Sequence, residues 1–273
     1  MISVKNLSYR YSKNTPLFQN LNFEQNQGNI IGLLGKNGAG KSTLLKLISG
    51  LLKSEKGEVT VSGFKPYQRN PDFLSDVFLV NDEPYLPSLT IKSYLKVYAP
   101  LYKNFDNKKM EDILVEFELD NNKNLSKLSH GQQKKFVIAF ALSANCKLLL
   151  LDEPTNGLDI PSKSIFRKVL VNSVDDNQLV IVSTHQVKDI DSVIDKIIVL
   201  ESGKIIFEND IYSIAEKLKF SKATSVAKDS SVIYFEKCIG GFSTIEPATN
   251  NEETEIDLEL LFNAICNKTN INL

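Results

Sequence analysis

The sequence predicts an α/β protein with a parallel sheet at its centre. Three observations carry that prediction. Short apolar runs at Asn29–Leu34, Leu148–Leu151, Leu179–Val182 and Ile197–Leu200 read as buried strands. Helical segments separate them, the alternation that builds a parallel sheet. A glycine-rich loop, Gly35–Thr43, follows the first run and leads into Leu44, Leu45, Leu47, Ile48 and Leu51 at helical spacing.

Taken in order, residues 1–27 hold short strand patterns such as Ser3–Leu7 and Leu17–Phe18, and Glu58–Val61 adds another. Together they predict an N-terminal antiparallel β layer beside the parallel core. Residues of about 90–145 turn helical, and Met110, Ile113, Leu114 and Phe117 repeat at i, i+3, i+4, i+7 as one buried stripe. Ile160-Pro161 opens a helix, with proline in its first turn. Ser202-Gly203 joins the last apolar strand to Lys204–Phe207 as a hairpin. Beyond about residue 220 come a strand at Val232–Phe235, a turn at Gly240-Gly241 and a short amphipathic helix behind the N-cap Asp257. Glu246, Glu252, Glu253, Glu255, Asp257 and Glu259 make this tail acidic, as a solvated face would be. The expected division is a larger domain over 1–220 and a small α+β extension over 221–273.

Composition removes several function classes. The 273 residues suffice for one large or two modest domains, and the formal charge of −1 gives no global field toward nucleic acid. No apolar run approaches the roughly 18 residues of a membrane span. The N-terminus lacks a signal-peptide pattern. Cys146, Cys238 and Cys266 lie far apart without CxxC spacing, which points to a reducing cytosol rather than disulfides or zinc.

The chemistry starts at the loop Gly35-Lys36-Asn37-Gly38-Ala39-Gly40-Lys41-Ser42-Thr43. Its glycines let bare N–H groups wrap an anion at a helix N-terminus, where the helix dipole adds positive charge. Lys41 is placed to reach the β- and γ-phosphates of a nucleoside triphosphate, and the Ser42 hydroxyl to bind Mg²⁺. A buried strand delivers Asp152 and Glu153 to its C-terminal edge, where such sheets place ligand chemistry. Asp152 can hold Mg²⁺, and Glu153 can face a water beyond the γ-phosphate. Leu128-Ser129-His130-Gly131-Gln132 heads a second helix, and Ser129 and Gly131 offer a second anion site. One nucleotide does not need both, so the second is best explained as serving another subunit. His185 ends a strand expected to neighbour the one ending in Asp152.

With these motifs in place, the chain resembles the nucleotide-binding subunits of ABC transporters over about residues 1–220. Gly35–Thr43 is similar to the Walker A motif, Leu148–Glu153 to Walker B and Leu128–Gln132 to the family signature. Gly157-Leu158-Asp159 is similar to the D-loop and His185 to the switch histidine. The resemblance implies a P-loop NTPase (RecA-like) core, ATP and Mg²⁺, and two ATPase subunits that sandwich two ATP head to tail. It implies a catalytic role for Lys41, Glu153 and His185, adenine stacking on Tyr11, and Ser42, Asp82 and Asp152 around the metal. Ser129 and Gly131 would bind the ATP of the partner, a second copy or a homologous subunit. Integral-membrane permease subunits would hold the chain on the cytoplasmic face of the membrane, with no nucleic-acid partner.

Two residues depart from the family pattern. His130 stands where the signature usually has glycine. Asp82, in Val80-Asn81-Asp82-Glu83-Pro84, stands where the family usually has a glutamine that contacts Mg²⁺ and links the site to the permease. The stretch from Leu101 to Ser129 resembles an exporter subgroup whose permease is a separate chain. The alternative is a soluble ABC-family ATPase in DNA maintenance or translation. Such proteins carry long coiled-coil insertions or two ATPase domains, and this chain has one motif set and no long insertion between residues 43 and 148.

Overall fold

Two strands open the chain and pair with each other. In the computed structural model, which describes residues 1–12, 15–225, 231–248, 254–269 and 271, β1 (Ile2–Ser12) pairs antiparallel with β2 (Thr15–Gln25). Both outrun the sequence expectation, because register shifts along the pair break the alternation that would have marked them. Strand β3 (Asn29–Leu34) leads through the glycine-rich loop into helix α1 (Lys41–Ile48). Leu51, expected on that helix, lies beyond it and is exposed. The amides of Gly50 and Leu51 fold back onto the carbonyls of Leu47 and Lys46, ending the helix a turn early. Strand β4 (Lys56–Val61) returns to β1, giving the antiparallel layer β2-β1-β4.

The short helix α2 (Pro71–Ser75) precedes β5 (Val77–Val80), a strand with no counterpart in the sequence reading. Then follow α3 (Ile91–Tyr98), α4 (Asn107–Glu116) and α5 (His130–Ser143). The expected stripe on and just after α4 is buried, and it packs in one core with Phe136 and Phe140 of α5. Phe140 touches the rings of Phe78, Tyr94, Tyr102 and Phe105, so aromatic packing ties the helical region to β5.

Strand β6 (Leu148–Asp152), helix α6 (Ile160–Ser173), β7 (Leu179–Thr184), β8 (Lys196–Glu201) and β9 (Lys204–Asp210) complete the central sheet, in the order β5-β6-β7-β3-β8-β9. Neighbours from β5 to β8 run parallel, and β9 closes the edge as the second arm of the hairpin at Ser202-Gly203. Burial on both faces explains the unbroken apolar runs of β6 and β7.

Helix α7 (Ile211–Lys217) leads to β10 (Leu218–Ala223), which crosses the boundary expected at residue 220. Strand β11 (Tyr234–Cys238) begins two residues after the run read as a strand, and it pairs with β12 (Gly241–Pro247) through the turn at Gly240. Helix α8 (Leu258–Cys266) is capped by Asp257, whose side chain accepts from the Leu260 amide. Of the acidic residues in this tail, Glu252 and Glu253 lie outside the described residues. Phe220, Ile245, Leu261 and Ile265 share one apolar core with Val187 and Ile190 of the central unit. Among the described residues, no helix is long and apolar enough to cross a membrane.

Candidate functional site

Parallel pairing sets the site. Strands β6, β7 and β3 are adjacent and point the same way, so their C-terminal ends deliver Asp152, His185 and the glycine-rich loop to one edge. Asp152 is paired in register with Ser183, and Leu34 with Thr184.

The loop borders a cavity of about 420 Å³ lined by Asn37 through Thr43, Tyr11, Leu17, Asp82 and Glu153. Lys36 is exposed beside it, while Gly35 is buried against the Leu200 carbonyl. Lys41 is buried, and its Nζ donates to the Gly35 carbonyl at 2.7 Å. The same amine lies 3.3 Å from Glu153 Oε1. Thus the lysine is held by its own loop while its charge faces the cavity and the Glu153 carboxylate.

Glu153 is the hub of the edge. Its other oxygen, Oε2, lies 3.0 Å from His185 Nδ1. Its backbone sits in the left-handed region at φ +45°, which strains a residue with a side chain. The Ser183 carbonyl accepts from its amide at 3.1 Å. Gln186 brackets the far side of the histidine ring, with Nε2 3.4 Å from His185 Nε2.

Asp152 is 4 % exposed, and its Oδ1 accepts from Ser42 at 3.0 Å and from Ser183 at 2.6 Å. Among the described residues, its hydrogen-bond partners are therefore neutral hydroxyls. A buried carboxylate beside a serine hydroxyl is a pair of hard oxygen donors, which fits Mg²⁺ with phosphate and water completing its shell. Asp82 lines the same cavity, but its carboxylate is engaged elsewhere. Lys134 Nζ reaches its Oδ1 at 2.8 Å, and Asn156 Nδ2 at 3.2 Å.

Tyr11 projects an exposed ring beside the loop. Its hydroxyl lies 2.9 Å from Thr43 Oγ1, and its ring meets Tyr9 edge-on at 5.1 Å. Ser129 and Gly131 do not line this cavity. They lie at the head of α5, Ser129 exposed and Gly131 half-buried, where Ser129 caps the Gln132 amide and Gln132 Oε1 accepts from the Ser129 amide. His130 packs against Gly157, and Asp159 caps α6 through the Ser162 amide at 3.0 Å. The Ser162 hydroxyl, and then that amide, hold the Asp159 carboxyl below the usual range by hydrogen bonding.

Sequence reasoning missed Lys134. A lysine within a helix reads as surface, yet this one is fully buried. The apolar and small residues around it, Phe136 to Leu142, are the only local hint that α5 is buried on several sides.

Over residues 18–156 the sequence matches the family described as ABC transporter. The chain belongs to the ABC transporter family. Relatives cover most of it. The SkfA peptide export ATP-binding protein SkfE of Bacillus subtilis is 34 % identical over 78 % of this chain and 89 % of its own length. The zinc uptake system ATP-binding protein ZurA of Listeria monocytogenes is 33 % identical over 78 % of this chain and 86 % of its own. Among solved structures, the dimeric post-hydrolysis state of the ATP-binding cassette MJ0796, bound to ADP and Pi, superposes with a TM-score of 0.66. It is 26 % identical and covers 77 % of this chain and 99 % of that one. The ABC fold expected from the sequence is therefore the fold observed. The chain is an ATP-binding subunit of the ABC transporter type and an ATPase.

Proposed function

We propose that this ABC subunit hydrolyses ATP at the edge where Lys41, Glu153 and His185 converge, and that two subunits close on two ATP to drive a membrane permease. One observation carries the reading: a single carboxylate, Glu153, contacts both the loop lysine and the strand-end histidine. In that arrangement Lys41 offsets charge on the transferring phosphoryl group, and the amides of Gly35–Thr43 hold the β- and γ-phosphates. Glu153 orients the attacking water and takes up its proton. His185 fixes the direction of that carboxylate and presents its ring to the γ-phosphate. Ser42 and Asp152 would hold Mg²⁺, which when bound neutralises phosphate charge. The exposed Tyr11 ring supplies a surface for adenine stacking.

Ser129 and Gly131 lie outside this cavity at a solvent-exposed helix N-terminus. That placement suits the ATP of a facing subunit, a second copy or a homologue. The MJ0796 cassette is a dimer bound to ADP and Pi, which supports this assembly. The permease would hold the subunit on the cytoplasmic face of the membrane. Relatives include a peptide export protein and a zinc uptake protein, so direction rests on the exporter-like stretch Leu101–Ser129. We favour export. ATPase assays of the purified subunit, with and without Mg²⁺, test the reading. Hydrolysis that requires Mg²⁺ and disappears in Glu153→Gln supports it, and turnover undiminished in that variant overturns it.

A further inference from the structure

We infer that Lys134 is a positioning residue for Glu153 and that Asp82 serves as its counter-charge rather than as a metal ligand. This rests on the role of Glu153 proposed above. Lys134 is 0 % exposed. A buried ammonium is costly unless its three donors are matched and its charge is balanced. Here all three donors have acceptors: Asp82 Oδ1 at 2.8 Å, the Glu153 carbonyl at 2.9 Å and the Asn156 carbonyl at 3.1 Å. Asp82 supplies the formal negative charge, and Asn156 Nδ2 steadies the same oxygen.

The partner of most consequence is the Glu153 carbonyl. Glu153 holds a left-handed backbone at φ +45°, a conformation that persists in a side-chain-bearing residue only when its surroundings enforce it. Two groups enforce it from opposite sides. Ser183 accepts from the Glu153 amide, and Lys134 donates to the Glu153 carbonyl. Between these clamps the side chain is aimed at Lys41 and His185. The clamp comes from α5, whose first residues follow Ser129, so one helix carries both the exposed signature segment and the amine that holds Glu153. Asp82 is the only carboxylate on that amine among the described residues. Its charge is committed there.

Four variants in the full-length subunit test the assignment: Asp82→Asn, Lys134→Gln, the double variant and Glu153→Gln. The readouts are kcat and KM for ATP, binding of a fluorescent ATP analogue, the half-saturating Mg²⁺ concentration, and thermal melting to confirm folding. Asp82→Asn leaves a buried ammonium without its counter-charge, and it should lower kcat about tenfold or more while analogue affinity changes by less than about threefold. Neutralising Lys134 as well should recover several-fold of that loss. The Mg²⁺ requirement should stay within about twofold of wild type throughout, as expected for a group that does not ligate the ion. Asp82→Asn is nearly isosteric at a site that is 38 % exposed, so it reads the pair even if Lys134→Gln does not fold. An Asp82→Asn loss that is restored by raising Mg²⁺ would place Asp82 on the ion and overturn the assignment. A Lys134→Gln variant that folds and keeps wild-type kcat would overturn it too. Undiminished turnover in Glu153→Gln is the separate result that removes the underlying reading of Glu153.

Discussion

Glu153 Oε2 lies 3.0 Å from His185 Nδ1, joining the ends of two adjacent parallel strands. The carboxylate's other oxygen is 3.3 Å from Lys41. Glu153→Gln preserves shape and removes the charge and the basicity. Turnover should fall by about two to four orders of magnitude, while ATP still binds. With hydrolysis stopped, the ATP-bound pair of subunits should accumulate and elute as a dimer in size-exclusion chromatography with ATP.

Lys41→Ala removes the cation that the loop holds through the Gly35 carbonyl. Affinity for ATP should drop more than affinity for adenosine, because the lost contacts are to phosphate. Isothermal titration with both ligands checks this. Equal losses for the two would mean that the loop has collapsed rather than lost one charge.

Much of this site is legible in the sequence, and the reason is local. The loop, the strand ending in Asp152 and the strand before His185 are each contiguous signals, and two-sided burial writes β6 and β7 as unbroken apolar runs. What is not legible is non-local. The Asp82–Lys134 pair spans 52 residues and joins a loop to a helix interior, so no spacing announces it. Strand β5 is four residues long with two of them half-buried, too short for a period to emerge. Leu51 fits a helical repeat, but the chain has already turned out of α1 at Ser49.

Burial predicts how the three cysteines differ. Cys146 is 1 % exposed, and burial pushes its thiol well above the ordinary range, leaving little thiolate at neutral pH. Cys238 and Cys266 are half-buried. A maleimide at pH 7 should therefore label the native protein at Cys238 and at Cys266, the latter slowed relative to a free thiol because burial raises its pKa. Label on Cys146 should appear only after denaturation, with mass spectrometry reading the sites.

Phe140 anchors the helical region through five ring contacts and is almost wholly buried. Phe140→Ala should cost about 3–5 kcal/mol of stability, from lost transfer energy and the cavity left behind. Denaturant titration gives the value. A change below about 1 kcal/mol would mean that the neighbouring rings refill the space.

Gly203 connects stability to the phosphate loop. It takes φ +74° in the hairpin between β8 and β9, its amide donates to the Ala39 carbonyl at 3.3 Å, and a Cβ there would sit 1.7 Å from the Leu17 carbonyl oxygen. Alanine cannot occupy that space, and its backbone penalty alone is about 1–3 kcal/mol. The hairpin must move away from Leu17, and with it the support under Ala39 in the loop. Gly203→Ala should therefore lower the melting temperature and also raise KM for ATP, although Gly203 is not among the residues lining the nucleotide cavity. A melting-temperature loss with KM unchanged would show that the loop holds its shape without the hairpin beneath it.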